Sequence, residues 1–391
     1  MVIHVFDVYH EGVMSCPILL RTLVISLIAA LFLPGQKEPY GPVAQRTVRQ
    51  WGAAEGLPTT LIHRFAQDGD GFFWLASDQG LYRFDGHRFS RIFPNTPQAK
   101  PVETVFVDSR DAVWFFCQEG VFRHRDGDIE RMIDARSWNT RSITGISEDI
   151  HGGLWFATAN DFVLGFRNGA CTPYGIAMGT PSPKITGLLC DHGGGLWVSV
   201  LDQGLYQLMS HAFQKANLIG LPQDLSVYSL YEDHDQGLWI STTQGLYVHK
   251  GGHTQRYTLQ DGLQTYGIHS MTQDQGGTLW LGTDTGLSTL SQGHDGTATF
   301  THAFEDGTVT QVLVDLENSV WVVLKDRGLV QLIEQAGHTL TPPPACSHHV
   351  TALCLDSKGT LWTGTTSGLL TFRDGTFTEL ETAAGLGPMA G

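Results

Sequence analysis

Short runs of apolar, β-branched and aromatic residues follow one another along most of the chain, separated by residues that favour turns. The pattern is clearest between residues 226 and 260, where the runs are SVYSLYED, LWIST, GLYVHK and HTQRYTLQ. Alternation of apolar and polar positions in the first run, and the β-branched and aromatic residues in the others, predict four short strands. Outside one apolar segment near the N-terminus, no window has the 3.6-residue period of an amphipathic helix. The chain is therefore predicted to be all-β.

This four-strand unit recurs about every 41 residues. Each copy has a tryptophan in its second strand, and eight copies follow one another: Trp74, Trp114, Trp155, Trp197, Trp239, Trp280, Trp321 and Trp362. Six residues before each tryptophan stands an aspartate: Asp68, Asp108, Asp149, Asp191, Asp233, Asp274, Asp315 and Asp356. Four-stranded antiparallel units with a period in the forties are typical of the blades of a β-propeller.

Two tight turns are predicted in each unit. The residue three positions before the tryptophan is glycine in five copies and Asp111, Gln236 or Asn318 in the others, which predicts a left-handed turn residue capped by the aspartate. A second glycine follows the tryptophan by six or seven residues in every copy except the third, which has Asp161. We expect each tryptophan to fill the space between neighbouring blades, removing about 150–250 Å² from water. These motif residues are assigned a structural role, and no catalytic residue is predicted.

The number of fourth strands decides how the ring closes. The segment RTVRQWGAAEGLPTT, residues 46–60, resembles a fourth strand and its following loop, yet the eighth copy has a fourth strand of its own, GTFTELET. The chain therefore has one fourth strand too many for a ring of eight. We predict a seven-bladed propeller closed by the N-terminal strand, with a surplus repeat that begins a further array, and an eight-bladed ring is the alternative. The propeller region, residues 45–391, is expected to be truncated at its C-terminus.

Charge and composition limit the classes of partner that this chain is expected to bind. Hydrophobic residues make up 41% of the chain and the formal net charge is −15, with no basic cluster, so nucleic acid is not an expected partner. The six cysteines lack metal-ligand spacing, and neither a metal site nor a cofactor is predicted. Residues 22–33, TLVISLIAALFL, follow Arg21 and have the length of a signal-peptide core. Residues 1–40 are therefore interpreted as a signal peptide or N-terminal anchor, and the location as periplasmic.

The residues that follow this segment resemble a known family. Two features carry the resemblance: the segment FAQDGDGFFWLASDQGLYRFDGHRF, residues 65–89, and the recurring pattern D-x-x-G-x-L-W-x-[GS]-T-x-x-G-L. From about residue 45 to residue 391, the chain closely resembles two-component regulator propeller repeats. The resemblance implies a periplasmic sensor region of a bacterial transmembrane signalling protein, followed by a transmembrane helix and a histidine kinase or diguanylate cyclase. It also implies a small-molecule or saccharide signal and a homodimer formed through the propeller or the missing regions. Membrane contact is expected only through the N-terminal segment or a missing C-terminal helix.

A second reading is an exported propeller enzyme, either a glycan hydrolase or a lyase resembling streptogramin lyase. Such a lyase would need a catalytic histidine on one face, and His269, His348 and His349 are the candidates. The chain has no HExxH, G-x-S-x-G or P-loop motif.

A ligand is expected on the face formed by the second-to-third-strand turns and the inter-blade loops, near the central channel. Aromatic side chains there would suit a saccharide, and Lys325 and Arg327 would suit an anion. The candidate ligand-binding residues are Trp138, Arg141, Lys184, Tyr266, Lys325, Arg327, His348 and His349.

Overall fold

The computed structural model describes residues 3–4, 46–92, 101–138, 142–159, 162–175, 184–209, 211–293, 297–304, 307–334 and 339–340. It also describes residues 350–356, 360–365, 368–373 and 376–380. These residues form four-stranded antiparallel sheets, as the sequence predicted. Short 3-10 turns at Ala53–Glu55, Ala135–Trp138 and Leu259–Asp261 lie in loops between the sheets. Within the described ranges, no helix is long and apolar enough to cross a bilayer.

The chain divides into two compact units, and residues 31–334 form the larger one. Its blades 1 to 6 each take four consecutive strands from the chain. Blade 1 has strands Ile62–Gln67, Phe73–Ser77, Gly80–Phe84 and Phe89–Arg91, and blade 2 has Val102–Val107, Val113–Cys117, Gly120–Arg125 and Asp128–Asp134. Blade 3 has Ile143–Glu148, Leu154–Thr158, Phe162–Arg167 and Ala170–Gly175, and blade 4 has Ile185–Cys190, Leu196–Val200, Gly204–Met209 and Ala212–Lys215. Blade 5 has Val227–Glu232, Leu238–Thr242, Gly245–Lys250 and His253–Tyr257, and blade 6 has Ile268–Gln273, Leu279–Thr283, Gly286–Gln292 and Ala298–Phe304.

Blade 7 is completed from the other end of the unit. Its first three strands are Val309–Val314, Val320–Leu324 and Gly328–Glu334, and its fourth strand is the N-terminal Arg46–Trp51. Arg46 pairs with Glu334 and Trp51 with Leu329 in an antiparallel ladder. First strands of neighbouring blades contact one another around a closed ring, and blade 7 meets blade 1. The ring therefore has seven blades, and the eight-bladed alternative is wrong because the N-terminal strand occupies the open edge of blade 7.

The smaller unit comprises residues 1–30 and 335–391. The eighth repeat forms a four-stranded sheet of its own in this unit, with strands Val350–Leu355, Leu361–Thr365, Gly368–Arg373 and Thr376–Leu380. The two-residue strands Ile3–His4 and Thr339–Leu340 also pair there. The eighth repeat is therefore the surplus repeat that the sequence predicted. The remainder of the proposed leader, residues 1–40, lies outside the described residues.

Side chains reinforce the closure of the ring. The Gln311 amide of blade 7 accepts a hydrogen bond from the Phe65 backbone N–H at 2.8 Å and donates one to the Phe65 carbonyl at 2.7 Å, so it bridges to blade 1. Arg46 donates to the Asn318 carbonyl at 2.9 Å and contacts the Asp274 carboxylate of blade 6 at 3.3 Å. The closing strand is thus tied to its own blade and to the preceding one.

The hydrophobic core lies between the blades. Each cluster of buried side chains joins the tryptophan of one blade to the inner residues of the next blade, as the repeat predicted. Trp321 packs on Phe73 across the closure, with ring centroids 4.6 Å apart, and Trp114 packs on Phe166 at 5.5 Å. The tryptophans therefore fill the space between blades.

The constant six-residue spacing between aspartate and tryptophan in the repeats has a direct physical cause. In all eight copies, one carboxylate oxygen accepts a hydrogen bond from the indole Nε1–H, at 2.6 to 3.0 Å. The other oxygen accepts from the backbone N–H four residues along, which closes the turn. The predicted capping of the turn is confirmed. The hydrogen bond to the indole, which the sequence did not predict, also fixes the orientation of the tryptophan ring between the blades.

The predicted left-handed turn residues have positive φ values between 60° and 87°, namely Gly71, Asp111, Gly152, Gly194, Gln236, Gly277 and Asn318. Gly359, the eighth member of this set, lies outside the described residues. The second-turn glycine is tightly enclosed at the ring closure. Gly328 has φ 97°, and a Cβ there would lie 2.6 Å from the Trp51 carbonyl oxygen of the closing strand.

Candidate ligand-binding site

A β-bulge interrupts the first strand of every blade at the same place. In blade 6, for example, the pairing with the second strand shifts between Ile268 and Ser270, which leaves His269 out of register. A bulge adds one residue to one strand and redirects its side chain. The bulged residues of the seven blades are His63, Glu103, Thr144, Thr186, Tyr228, His269 and Thr310.

These residues stand near the beginning of the strands that form the central ring. Backbone hydrogen bonds place the second-to-third-strand turns beside them, since the Asp284 N–H donates to the Gly267 carbonyl at 3.0 Å and the Lys325 N–H donates to the Thr308 carbonyl at 2.9 Å. The turns, the inter-blade loops and the bulges therefore share one face of the propeller, which we call the turn face.

A cavity of about 570 Å³ opens on the turn face. Four adjacent blades line it, and each contributes its bulged residue: Tyr228 from blade 5, His269 from blade 6, Thr310 from blade 7 and His63 from blade 1. Arg64 and the turn residues Asp284, Lys325 and Asp326 complete the polar lining. Small-molecule sites in proteins commonly have volumes of roughly 300–1,000 Å³ and a few convergent polar groups.

The cavity contains acidic, basic and aromatic side chains. The His269 ring nitrogen Nε2 lies 2.6 Å from the Asp284 carboxylate. The Tyr228 ring, which is 39% exposed, meets the His269 ring edge-on with centroids 6.4 Å apart. Arg64 is exposed, and its guanidinium donates to the His63 carbonyl at 3.1 Å. The cavity thus offers an aromatic surface, a histidine–carboxylate pair and the two cations Arg64 and Lys325.

The turn that carries Asp284 is held by its neighbours. The buried Thr283 hydroxyl donates to the Gly286 carbonyl at 2.9 Å and accepts from the Thr285 N–H at 3.2 Å. Thr283 is therefore structural, and Asp284 between these residues is the side chain that the turn presents to the cavity.

A second cavity of about 470 Å³ lies in the groove between blades 5 and 6. Its polar lining includes Asp233, which holds Trp239, and the Lys250–Asp235 ion pair at 3.0 Å. These groups already satisfy one another within the repeat structure, so the cavity on the turn face is the stronger candidate for a ligand.

The candidate residues from the sequence have different positions. Lys325 lines the turn-face cavity, whereas Lys184, Tyr266 and Arg327 lie in loops or turns of the same face without lining it. Tyr266 packs against the core cluster between blades 5 and 6. Trp138 ends a short 3-10 turn, and the remaining candidates lie outside the described residues: Arg141, His348 and His349.

Several cavity residues were not among the candidates, including His63, Arg64 and Tyr228. A signal for the bulged positions is present in the sequence, because each bulged residue precedes the tryptophan of its repeat by eleven positions. At this position the seven repeats have His, Glu, Thr, Thr, Tyr, His and Thr. The position immediately before it is always Ile or Val.

Comparisons with known proteins agree with the repeat pattern. Residues 220–244 and 346–367 match the family model for the two component regulator propeller. The curated proteins gave no significant match. The extracellular domain of the hybrid two component system BT3049 from B. thetaiotaomicron has a similar structure, with 20% identity and a TM-score of 0.61, over 87% of this chain and 50% of that one. The corresponding domain of BT4673 from the same organism has 20% identity and a TM-score of 0.59, over 84% of this chain and 45% of that one.

The chain thus spans about half the length of those two extracellular domains. Virginiamycin B lyase from Staphylococcus aureus is also similar, with 14% identity and a TM-score of 0.58, over 74% of this chain and 99% of the lyase. At these identities the similarity to each structure is one of fold, and a sensor domain and a lyase share it. The family model is more specific: residues 220–244 and 346–367 are similar to two-component regulator propeller repeats, and the larger unit of the chain is a seven-bladed β-propeller.

Proposed function

We propose that the chain is the ligand-sensing propeller region of an exported bacterial signalling protein, and that it binds a small-molecule or saccharide signal on the turn face without catalysing a reaction. The observation that carries the proposal is the recurring bulge. The fold places one side chain from every blade at the same ring position, and the seven positions hold four residue types: His, Glu, Thr and Tyr. Variable residues on a rigid scaffold are a common arrangement for recognition.

The repeats support the signalling part of the proposal. Two segments match the two-component regulator propeller model, and similar folds occur in extracellular domains of hybrid two component systems. In this proposal the signal is read by the propeller, and the response is made by an output domain such as a histidine kinase or a diguanylate cyclase. A homodimer would carry the signal across the membrane.

Binding on the turn face is tested by thermal unfolding of the purified chain with a panel of saccharides, organic acids, amino acids and short peptides. A ligand that raises the Tm of the native chain should lose that effect in Tyr228→Ala. The matched control is Ile150→Ala, because Ile150 is an exposed apolar residue in a first-to-second-strand turn on the opposite face. Equal loss in both variants would contradict recognition on the turn face.

A structural variant separates stability from recognition. Trp280→Ala removes a buried wedge that is 5% exposed and should cost about 3–5 kcal/mol of unfolding free energy. At a temperature where this variant is folded, it should still bind the same ligand. A stable Trp280→Ala variant that has selectively lost binding would overturn the assignment of the repeat motif to structure alone.

Export is tested with a fusion of residues 1–40 to alkaline phosphatase, which becomes active only after translocation. Phosphatase activity is expected in the fusion and should disappear when two arginines interrupt the apolar run 22–33. An inactive fusion that is stably produced would refute the periplasmic location.

One observation favours a second function, an exported propeller enzyme. His269 and Asp284 form a pair of the kind used in general base catalysis, they face the turn-face cavity, and virginiamycin B lyase has a similar fold. The test is incubation of the chain with a streptogramin B lactone and with glycans, followed by mass spectrometry of the products. Turnover that is abolished in His269→Ala would establish the enzyme and exclude a purely sensory role.

A further inference from the structure

The turn-face cavity contains an arginine at a position where other blades have small or neutral residues. Arg64 is the third residue of the first strand of blade 1, and its counterparts are Thr104, Gly145, Gly187, Ser229, Ser270 and Gln311. Three of these counterparts link their blade to the next one. Ser229 donates to the Ile268 carbonyl at 2.9 Å, Ser270 accepts from the Val312 N–H at 3.1 Å, and Gln311 bridges to Phe65.

Arg64 makes no such link among the residues that the structure describes. Its hydrogen bond goes to the carbonyl of the preceding residue, His63. The packing of blade 1 against blade 2 therefore does not explain a guanidinium at this position. Lys325 is a second departure from the repeat, since no other blade has a cation as the first residue of this turn. The residues there are Asp78, Gln118, Ala159, Leu201, Thr243 and Asp284.

Both cations lack an anionic partner within the described part of the chain, where no carboxylate lies within 4.0 Å of Arg64 or Lys325. The carboxylate of Asp284 is engaged with His269. Both side chains are exposed and line the same cavity, so an anion bound there would be attracted by two positive charges.

The other groups of the cavity restrict the anion. Asp284 and Asp326 would oppose a multiply charged ligand such as phosphate, but they accept hydrogen bonds from hydroxyl groups. His63 and Thr310 add further hydrogen-bonding groups, and Tyr228 offers a partly exposed ring for carbon–hydrogen surfaces. A planar carboxylate matches the guanidinium fork in two parallel hydrogen bonds.

We propose, on the basis of the sensory function above, that the turn-face cavity binds a small organic acid with one carboxylate and several hydroxyl groups, and that Arg64 and Lys325 hold the carboxylate. The hydroxyl groups contact Asp326 and His63, and one face of the carbon skeleton lies against Tyr228. The cavity thereby distinguishes an acid from the neutral compound of the same shape.

Isothermal titration calorimetry at low ionic strength tests this assignment. The probes are D-gluconate and D-glucuronate, their neutral counterparts D-glucitol and D-glucose, and inorganic phosphate. At least one acid should bind, with its neutral counterpart and phosphate at least roughly tenfold weaker. Equal affinity for acid and neutral compound, or preference for phosphate, would overturn the proposal.

Paired variants identify the residues responsible. Arg64→Gln and Lys325→Gln should each weaken acid binding by roughly tenfold or more while leaving the Tm unchanged. Lys250→Gln is the matched control, because Lys250 lies in the groove between blades 5 and 6, and it should bind the acid like the native chain. Unchanged affinity in Arg64→Gln contradicts the assignment.

The outcome also separates this proposal from the broader one. If neither acid binds at about 10 mM but another compound from the panel binds and depends on Tyr228, the carboxylate assignment fails and the sensory site stands. If no compound depends on Tyr228, the sensory site on the turn face fails as well.

Discussion

The pairing of aspartate and tryptophan in each blade predicts a measurable coupling in blade 5. Asp233 is 8% exposed and Trp239 is 4% exposed. One Asp233 oxygen accepts from the indole Nε1–H at 2.7 Å, and the other accepts from the Gly237 N–H at 2.7 Å. Asp233→Asn replaces one acceptor with an NH₂ group, so one buried donor must face another donor.

Leaving a buried donor unsatisfied costs about 1–3 kcal/mol, and the lost bonds involve a charged acceptor, so we expect Asp233→Asn to cost about 2–3 kcal/mol. For the unit of residues 31–334, with an unfolding entropy of about 2.1 cal/mol/K per residue, that corresponds to a fall in Tm of about 3–5 °C. Trp239→Phe removes the indole donor but keeps an aromatic ring against Tyr257, whose centroid lies 6.0 Å away. In that background the cost of Asp233→Asn should fall by about 1–2 kcal/mol.

The assay is chemical unfolding of the four proteins of this double-mutant cycle, followed by circular dichroism. Asp235→Asn is the matched control, because Asp235 is exposed and pairs with the exposed Lys250, and it should change stability by less than about 0.5 kcal/mol. Additive effects of Asp233→Asn and Trp239→Phe would refute the claim that this hydrogen bond holds the wedge.

Two further predictions concern single residues. Gly328→Ala should cost about 2–4 kcal/mol of unfolding free energy, measured by thermal unfolding, because its Cβ would lie 2.6 Å from the Trp51 carbonyl oxygen. Gly127→Ala, at φ 88° with open space around it, should cost only about 1 kcal/mol. Equal costs would show that the closing strand does not pack against Gly328. Burial raises the pKa of Asp149, but hydrogen bonds from the indole, two backbone N–H groups and Arg167 outweigh it and leave the pKa below its ordinary value. That carboxylate therefore stabilises the fold above its unfolded pKa of about 3.9 and ceases to do so as pH falls through the lower folded value. Arg167→Met should lower the Tm slightly at pH 7, and the difference should shrink below about pH 4; a difference independent of pH would exclude the ion pair as its cause.

The repeat made most of the fold predictable. Tryptophan spacing gave the number of units, the residues three positions before each tryptophan gave the turns, and the surplus fourth strand at residues 46–51 gave the seven-bladed closure. These features are local in sequence or recur at a fixed period, so a single chain displays them many times.

The candidate site was less predictable because it depends on where the ring brings distant residues together. Lys325 was identified from a break in the turn pattern, but Arg64 lies more than 250 residues away in the chain and joins it only when blade 7 meets blade 1. The bulge that redirects His63, Tyr228 and His269 is a register feature of paired strands. The position of the bulge can be found in the sequence only after the repeats have been aligned on their tryptophans.

Amide hydrogen exchange, with and without a ligand found in the panel, tests the central claim that the turn face recognises the signal. The account predicts added protection at residues 60–64, 283–286 and 324–328, which border the turn-face cavity, and no change at 68–72 or 233–237 in the motif turns on the opposite face. Protection confined to the motif turns would contradict the account.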